Sequence, residues 1–218
     1  MTDTERQALL LSQGMGLDYL RRILLAPVYD IAVETDLTAL SKLSSRLNNQ
    51  IYLKREDQQP VHSFKLRGAY NKLSNLSEEQ CIHGVIAASA GNHAQGLALA
   101  AAHLGIRAVI VMPRTTPEIK VKAVRARGGK VVLHGDSFDE ALAHAPELEK
   151  KEHLTSVHPS DDIDVIAGQG TVARQILRQH TGPLSEVILP AGGGGFVAGK
   201  AALLPCFCPA TTAAGVRP

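Results

Sequence analysis

From Gln50 to Leu204 the hydrophobic positions follow two periods in turn. Short β-branched runs, apolar at nearly every position, predict strands at residues 51–53, 84–87, 108–111, 130–133 and 186–189, with 154–157 a weaker member. Between them, apolar residues spaced three and four apart predict helices over 63–76, 92–104, 117–127, 137–151 and 162–179. Strands that are apolar on both faces require a sheet covered on each side. Strand–helix alternation of this kind predicts an α/β fold with an open, mostly parallel sheet and helices on both faces. The first fifty residues differ: a helix is expected from Tyr19 to Leu25, ended by Pro27, and another from Leu40 to Leu47.

Composition narrows the function classes. Of 218 residues, 44% are hydrophobic and 20% charged, a balance that supports a folded core. With four Tyr, four Phe and no Trp, that core must be aliphatic. Lys+Arg 23 against Asp+Glu 21 leaves +2, so no strong field draws the chain to nucleic acid or to a lipid surface. Cys81, Cys206 and Cys208 are too few for a disulfide framework, and Cys-Phe-Cys alone supplies two ligands where a zinc site needs four. No apolar run approaches the roughly eighteen residues of a membrane span. The N-terminus lacks the basic start and apolar stretch of a signal peptide, so a cytoplasmic protein is expected. Lys120, Lys122, Arg125, Arg127 and Lys130 read as a solvated helix face.

Three turns carry candidate chemistry, and open parallel sheets bind ligands at the carboxyl ends of their strands. Ser89-Ala90-Gly91-Asn92-His93-Ala94-Gln95-Gly96 joins a buried strand to an alanine-rich helix. Its small residues admit a ligand to the backbone, and helix-start N–H groups favour an anion. Asn92 and His93 would add an amide and an imidazole at the mouth of the sheet; the plainer alternative is a tight turn capped by Ser89. Gly192-Gly193-Gly194-Gly195-Phe196 follows another strand. Four consecutive glycines are a costly connector but a suitable ring of N–H donors around a phosphate. It is not a P-loop, because no Gly-Lys-Ser/Thr follows. In His62-Ser63-Phe64-Lys65-Leu66-Arg67-Gly68, Lys65 and Arg67 fall in the first turn of a helix, the end that disfavours cations. One explanation is a lysine that is held covalently rather than as a free ammonium; a solvated lysine is the other. A lysine, a phosphate cradle and an anion-binding turn at one end of one sheet would suit a cofactor bearing an aldehyde and a phosphate, which pyridoxal phosphate does.

The residues also carry a family resemblance. Residues 54–69, Lys-Arg-Glu-Asp-Gln-Gln-Pro-Val-His-Ser-Phe-Lys-Leu-Arg-Gly-Ala, resemble the cofactor-lysine segment of the biosynthetic threonine dehydratases. Ser-Ala-Gly-Asn-His-Ala-Gln-Gly (89–96), Ile-Ala-Gly-Gln-Gly-Thr (166–171) and Gly-Gly-Gly-Gly-Phe (192–196) resemble that family's next signatures, in order, from about Tyr19 to Gly199. The family belongs to the tryptophan-synthase-β-like group of pyridoxal phosphate enzymes. The resemblance implies pyridoxal 5'-phosphate carried on Lys65, beside Phe64. Asn92 would bond the ring hydroxyl oxygen, and Gly192, Gly193, Gly194, Gly195 and Phe196 would hold the phosphate. The turn of Ser89, Ala90, Gly91, Asn92 and His93 would bind the substrate carboxylate. It implies conversion of L-threonine to 2-oxobutanoate and ammonia on the way to isoleucine, and of L-serine to pyruvate. A homo-oligomer is implied for full-length members.

Members of that family are much longer. Residues 1–199 would be the N-terminal portion of the catalytic domain, in two intertwined α/β subdomains, with no isoleucine-sensing regulatory domain. Residues 200–218 show no strand–helix alternation, for which a shifted or prematurely ended reading frame is the preferred account. Three alternatives are a sister activity such as serine racemisation or β-replacement, a non-catalytic fragment, and, more distantly, a generic nucleotide-binding domain.

Overall fold

The computed structural model describes residues 15–216; the first fourteen residues, Arg217 and Pro218 lie outside them. The centre is a parallel sheet of β3 (Val85–Ala88), β4 (Ala108–Met112), β5 (Lys130–Leu133) and β6 (Thr155–Ser156), in the order β5-β4-β3-β6. Every residue of β3 and β4 is buried. Their side chains split by the period of two. Val85, Ala87, Ala108, Ile110 and Met112 pack into one core, and Ile86, Ala88, Val109 and Val111 into another.

Helices cover both faces as the sequence requires. One face packs on α3 (Lys65–Ser74), α5 (Asn92–His103) and α6 (Glu118–Arg125), through Leu66, Leu73, Leu97 and Val121. The other packs on α7 (Phe138–Glu152), through Ala141 and Ala145. Between α3 and β3 lies α4 (Glu78–His83), closed by a reciprocal Ser77–Gln80 capping box. Lys120, Lys122 and Arg125 are exposed on α6, but the expected single helix face is corrected: Arg127, past the helix end, is half-buried and donates to the Ala123 carbonyl, and exposed Lys130 opens β5.

A second packing region holds α1 (Met15–Leu25), α8 (Ile163–Gln179) and α9 (Gly195–Phe207), with Ile23, Ala167, Ala173, Leu203 and Leu204 at its centre. Here small residues set the distances. A Cβ at Gly168 would overlap the Arg67 carbonyl of α3, and one at Gly199 would lie 2.5 Å from the Ile166 carbonyl of α8. We expect Gly168→Ala to destabilise the chain by about 1–3 kcal/mol, because backbone on the facing helix would have to move. Urea unfolding measures this; a change within about 0.5 kcal/mol would show that the crossing has slack.

The strands do not share one sheet. β1 (Leu37–Ala39) and β2 (Tyr52–Lys54), with α2 (Ser41–Leu47) between them, form an antiparallel pair. β7 (Glu186–Pro190) pairs in parallel with β8 (Thr212–Val216), apart from the central four strands. The expectation that the pattern ends at Gly199 is corrected here: α9 runs on to Phe207, and β8 follows, in register with the whole of β7. Thr212-Ala213-Ala214-Gly215-Val216 has too few β-branched residues to read as a strand, and backbone pairing with β7 makes it one. β1 escapes sequence reading for the same reason, being three residues whose pairing comes from β2.

Candidate active site

Lys65 is the first residue of α3, preceded by Phe64 in helical conformation, with no side chain capping the helix. Two residues on, Arg67 is fully buried, with Nε 2.8 Å from Glu56 Oε2 and Nη2 2.9 Å from Glu56 Oε1. The same guanidinium donates to Val33 O, Gln175 Oε1 and Thr171 Oγ1. Arg67 is therefore a structural cation, tying the segment before β1 to α3 and α8.

Lys65 has a different environment. Its Nζ donates to the Pro159 carbonyl at 2.7 Å and lies 5.7 Å from the centre of the Phe64 ring. No carboxylate pairs with it among the described residues. Burial alone pushes its pKa down, which favours the neutral, nucleophilic amine.

The Ser89–His93 turn follows β3. Ser89 N–H bonds the Val111 carbonyl, and Ser89 Oγ accepts from Gly91 N–H at 3.3 Å. Gly91 is the N-cap of α5 and no side chain caps that helix, so the Ser89 cap is not formed. A Cβ on Gly91 would meet nothing within 4 Å, so the turn faces open space. Asn92 is exposed there.

His93 departs from expectation. Its imidazole is not at the mouth of the sheet but buried, 3% exposed, with Nε2 3.1 Å from the Val157 carbonyl. A carbonyl only accepts, so Nε2 carries the hydrogen. Nδ1 is then a bare acceptor, without a partner among the described residues. Burial pulls the His93 pKa from 6.5 to about 4, with the Val157 bond opposing and the charges of Lys65 and His158 adding to the drop. The unfolded chain then binds the proton more readily. Stability worth about 3 kcal/mol is present above pH 6.5 and is lost as the pH falls from there towards 4. Urea titrations across that window check this, and His93→Gln should flatten the slope.

The glycine loop follows β7, outside the central sheet, and α3 follows a 3-10 turn (Glu56–Gln58) and a loop rather than a strand. The expected convergence at one end of one sheet is therefore replaced by convergence of three structural units. A Cβ on Gly193 or Gly195 would overlap Ser160, whereas one on Gly192 or Gly194 would meet nothing within 4 Å. One side of the loop is thus fastened and the other open. Gly194, at φ 84°, takes a conformation that only glycine adopts without strain. Phe196, just past the loop, stacks on Phe64, rings 3.8 Å apart and 11° from parallel.

The hub of this arrangement is the segment Val157-His158-Pro159-Ser160 after β6. It receives His93 at Val157, Lys65 at Pro159 and the glycine loop at Ser160. Sequence reasoning missed it, since only Pro159 marks it, at the end of the weakest strand. Elsewhere, in a cavity also lined by exposed Arg21, the Arg22 guanidinium bonds Asp18 and Asp164, and Asn71 donates to the Asp164 carbonyl. Among the described residues no His, Cys, Asp or Glu cluster could hold a metal, and the side chain of Cys206 lies outside them.

A lysine with a desolvated amine beside an open ring of glycines is chemistry that suits an aldehyde phosphate. The family model for pyridoxal-phosphate dependent enzymes matches residues 28–218. The chain belongs to that family. The match includes residues 200–218, beyond the point where the resemblance read from the sequence stops. The chain is 54% identical over 203 residues to the biosynthetic L-threonine dehydratase of Burkholderia multivorans, covering 92% of this chain and 40% of that protein. It is 56% identical over 194 residues to the Escherichia coli protein of that name, covering 89% of this chain and 38% of the relative. In structure it is similar to processed threonine deaminase isoform 2 from Solanum lycopersicum, with a TM-score of 0.91, 54% identity and coverage of 93% of this chain and 56% of that one. Serine racemase from Dictyostelium discoideum superposes at a TM-score of 0.86 with 28% identity, over 91% of this chain and 65% of that one. The chain thus spans about 40% of the length of the curated relatives it matches.

Proposed function

We propose that this chain supplies the lysine and the phosphate cradle of an enzyme that converts L-threonine to 2-oxobutanoate and ammonia, and L-serine to pyruvate and ammonia. The observation that carries the reading is the Lys65 amine, half-buried without a carboxylate partner among the described residues and held at Pro159, next to the Ser160 that backs the glycine loop. The four ordered motifs and the names of the relatives support the same reaction.

In this reading Gly192, Gly193, Gly194, Gly195 and the Phe196 N–H hold the cofactor phosphate, helped by the start of α9. Asn92 bonds the ring hydroxyl oxygen, and Phe64 lines the site beside Lys65. The turn of Ser89, Ala90, Gly91, Asn92 and His93 takes the substrate carboxylate through the backbone N–H groups at the start of α5, since the Ser89 N–H is held by the Val111 carbonyl and the Gly91 N–H by Ser89 Oγ; the His93 imidazole is turned away from it. Bound pyridoxal phosphate supplies an electron sink for the charge left at Cα. Lys65 would hold the cofactor between turnovers, and its free amine would be the base placed to take the Cα proton. The β-hydroxyl would leave as water, taking up a proton that balances the one Lys65 removes from Cα, and hydrolysis of the resulting enamine would release ammonia.

Residues 1–199 read as the N-terminal portion of the catalytic domain. A cytoplasmic location belongs to the same reading, although the names of the plant relatives place them in chloroplasts. No helix among the described residues is long and apolar enough to cross a membrane. The likeness to serine racemase favours a second reading, an inversion of serine at the same lysine. Product analysis after incubation with pyridoxal phosphate and each L-amino acid separates the two. Formation of 2-oxobutanoate from threonine supports dehydration, and D-serine without pyruvate supports racemisation. Neither product, together with no spectral change on adding the cofactor, would reduce the chain to a piece that needs the rest of the domain.

A further inference from the structure

One buried titratable group has no role in the chemistry above. His93 belongs to the turn after β3, yet its ring points into the protein, away from the open side of that turn. Among the described residues its one hydrogen-bond partner is the Val157 carbonyl, 3.1 Å from Nε2. Two residues further on, the Pro159 carbonyl takes the Lys65 amine, and Ser160 lies against Gly193 and Gly195.

We propose that His93 is a positioning residue: by donating Nε2–H to the Val157 carbonyl it fixes the 157–160 segment, and through it the Lys65 amine and the back of the glycine loop. The inference rests on the reading of Lys65 as the cofactor lysine.

The 157–160 segment follows a strand of only two residues, whose ladder ends at Ser156. Beyond that strand, Val157 N–H bonds the Ile86 carbonyl, and the Val157 carbonyl is held by a side chain. A neutral imidazole suits this role, since burial keeps the ring unprotonated at physiological pH with its one hydrogen committed to Val157. Lys65, finally, has no carboxylate to restrain it, so the Pro159 carbonyl decides where the amine rests and how much water reaches it. The charged and titratable groups that face this contact are few. Lys65 of α3 and His158 of the segment itself act on His93, while the glycine loop and Phe196 bring no ionisable side chain.

The test uses the chain without cofactor, so it does not depend on turnover. Acetylation of Lys65 is followed by peptide mass spectrometry across pH in the parent, His93→Leu, His93→Asn and His93→Gln. Leucine removes the donor, asparagine is too short to reach Val157, and glutamine places an N–H near the position of Nε2. Releasing the segment admits water to Lys65 and undoes the burial that lowers its pKa. We expect the midpoint of the acetylation profile to rise by about half a pH unit or more in the leucine and asparagine variants, a roughly threefold loss of reactivity below the midpoint. Glutamine should restore the parent profile. If leucine does not fold, asparagine carries the comparison.

Identical midpoints in all four proteins would overturn the proposal. So would a shift that glutamine fails to reverse, since that would assign His93 to packing alone. Adding pyridoxal phosphate afterwards tests the cofactor reading separately. A parent that shows the His93-dependent profile but no band of lysine-bound cofactor would sink that reading and leave the His93 contact standing.

Discussion

Lys65→Ala is expected to abolish the visible absorption that the chain gains with pyridoxal phosphate, and to lower 2-oxobutanoate formation by on the order of 10²–10⁴-fold. The loss should be chemical rather than structural. Lys65 is at the first position of α3, where alanine is a good helix former, and the freed Pro159 carbonyl is only half-buried. Far-ultraviolet circular dichroism should therefore be unchanged. Lys65→Arg sharpens the result, because it keeps a cationic donor within reach of Pro159 but cannot deprotonate to a nucleophile, and it too should show no band. The rival within the chain is Lys54, whose half-buried amine has a pKa drawn down to about 8, chiefly by burial. Its Nζ is already engaged by the Thr35 carbonyl and by Gln179 Oε1. Lys54→Ala should keep the band. A band that survives Lys65→Ala and disappears in Lys54→Ala would assign the chemistry to the wrong lysine in our reading.

Arg67→Met should unfold the chain more readily than any surface change, by about 3–5 kcal/mol in urea titrations. Methionine leaves the Glu56 carboxylate, 8% exposed, with only the Thr35 hydroxyl at 2.7 Å and the Gln59 amide at 3.2 Å to replace a bidentate guanidinium. The cost is that of a stranded buried charge rather than the worth of the pair, so removing both charges tests the cause. Arg67→Met with Glu56→Gln should cost clearly less than the two single changes added together. Additive losses would show that the two charges do not depend on each other. Because Arg67 shares a helical turn with Lys65, the single variant should also weaken cofactor uptake while leaving the Lys65 side chain untouched.

These two residues show what could be read directly and what could not. Lys65 and Arg67 look alike in the sequence: both are cations in the unfavourable first turn of a helix. For Lys65 the structure shows an amine bonded to the Pro159 carbonyl, with no carboxylate partner among the described residues. For Arg67 the explanation is a carboxylate eleven residues earlier and hydroxyl and amide partners on α8, none of which has a spacing that a local pattern reveals. His93 was legible as a member of a turn but not in its direction, since the Val157 carbonyl that captures it lies in the segment after β6, sixty-four residues away. The family match and the fold class were legible because they rest on motif order and on strict alternation of periods. The candidate site residues stand as a proposal, with the His93 ring turned inward and the 157–160 segment added to them.

The sequence alone determined the parallel β3–β4 pair and the helices against it. Those strands are apolar at every position, and only burial on both faces satisfies such a pattern. It also determined which residue types stand ready: an amine, an amide and four glycines, at fixed places in the chain. Tertiary structure decided how strands were shared among three sheets, that Thr212–Val216 is a strand at all, and that a four-residue loop with no motif of its own brings lysine, histidine and glycine loop together. The reason is physical. Periodicity records which side of an element meets water, a local property of side chains, whereas pairing and convergence depend on backbone N–H and C=O groups that are the same in nearly every residue and so leave little trace in the sequence.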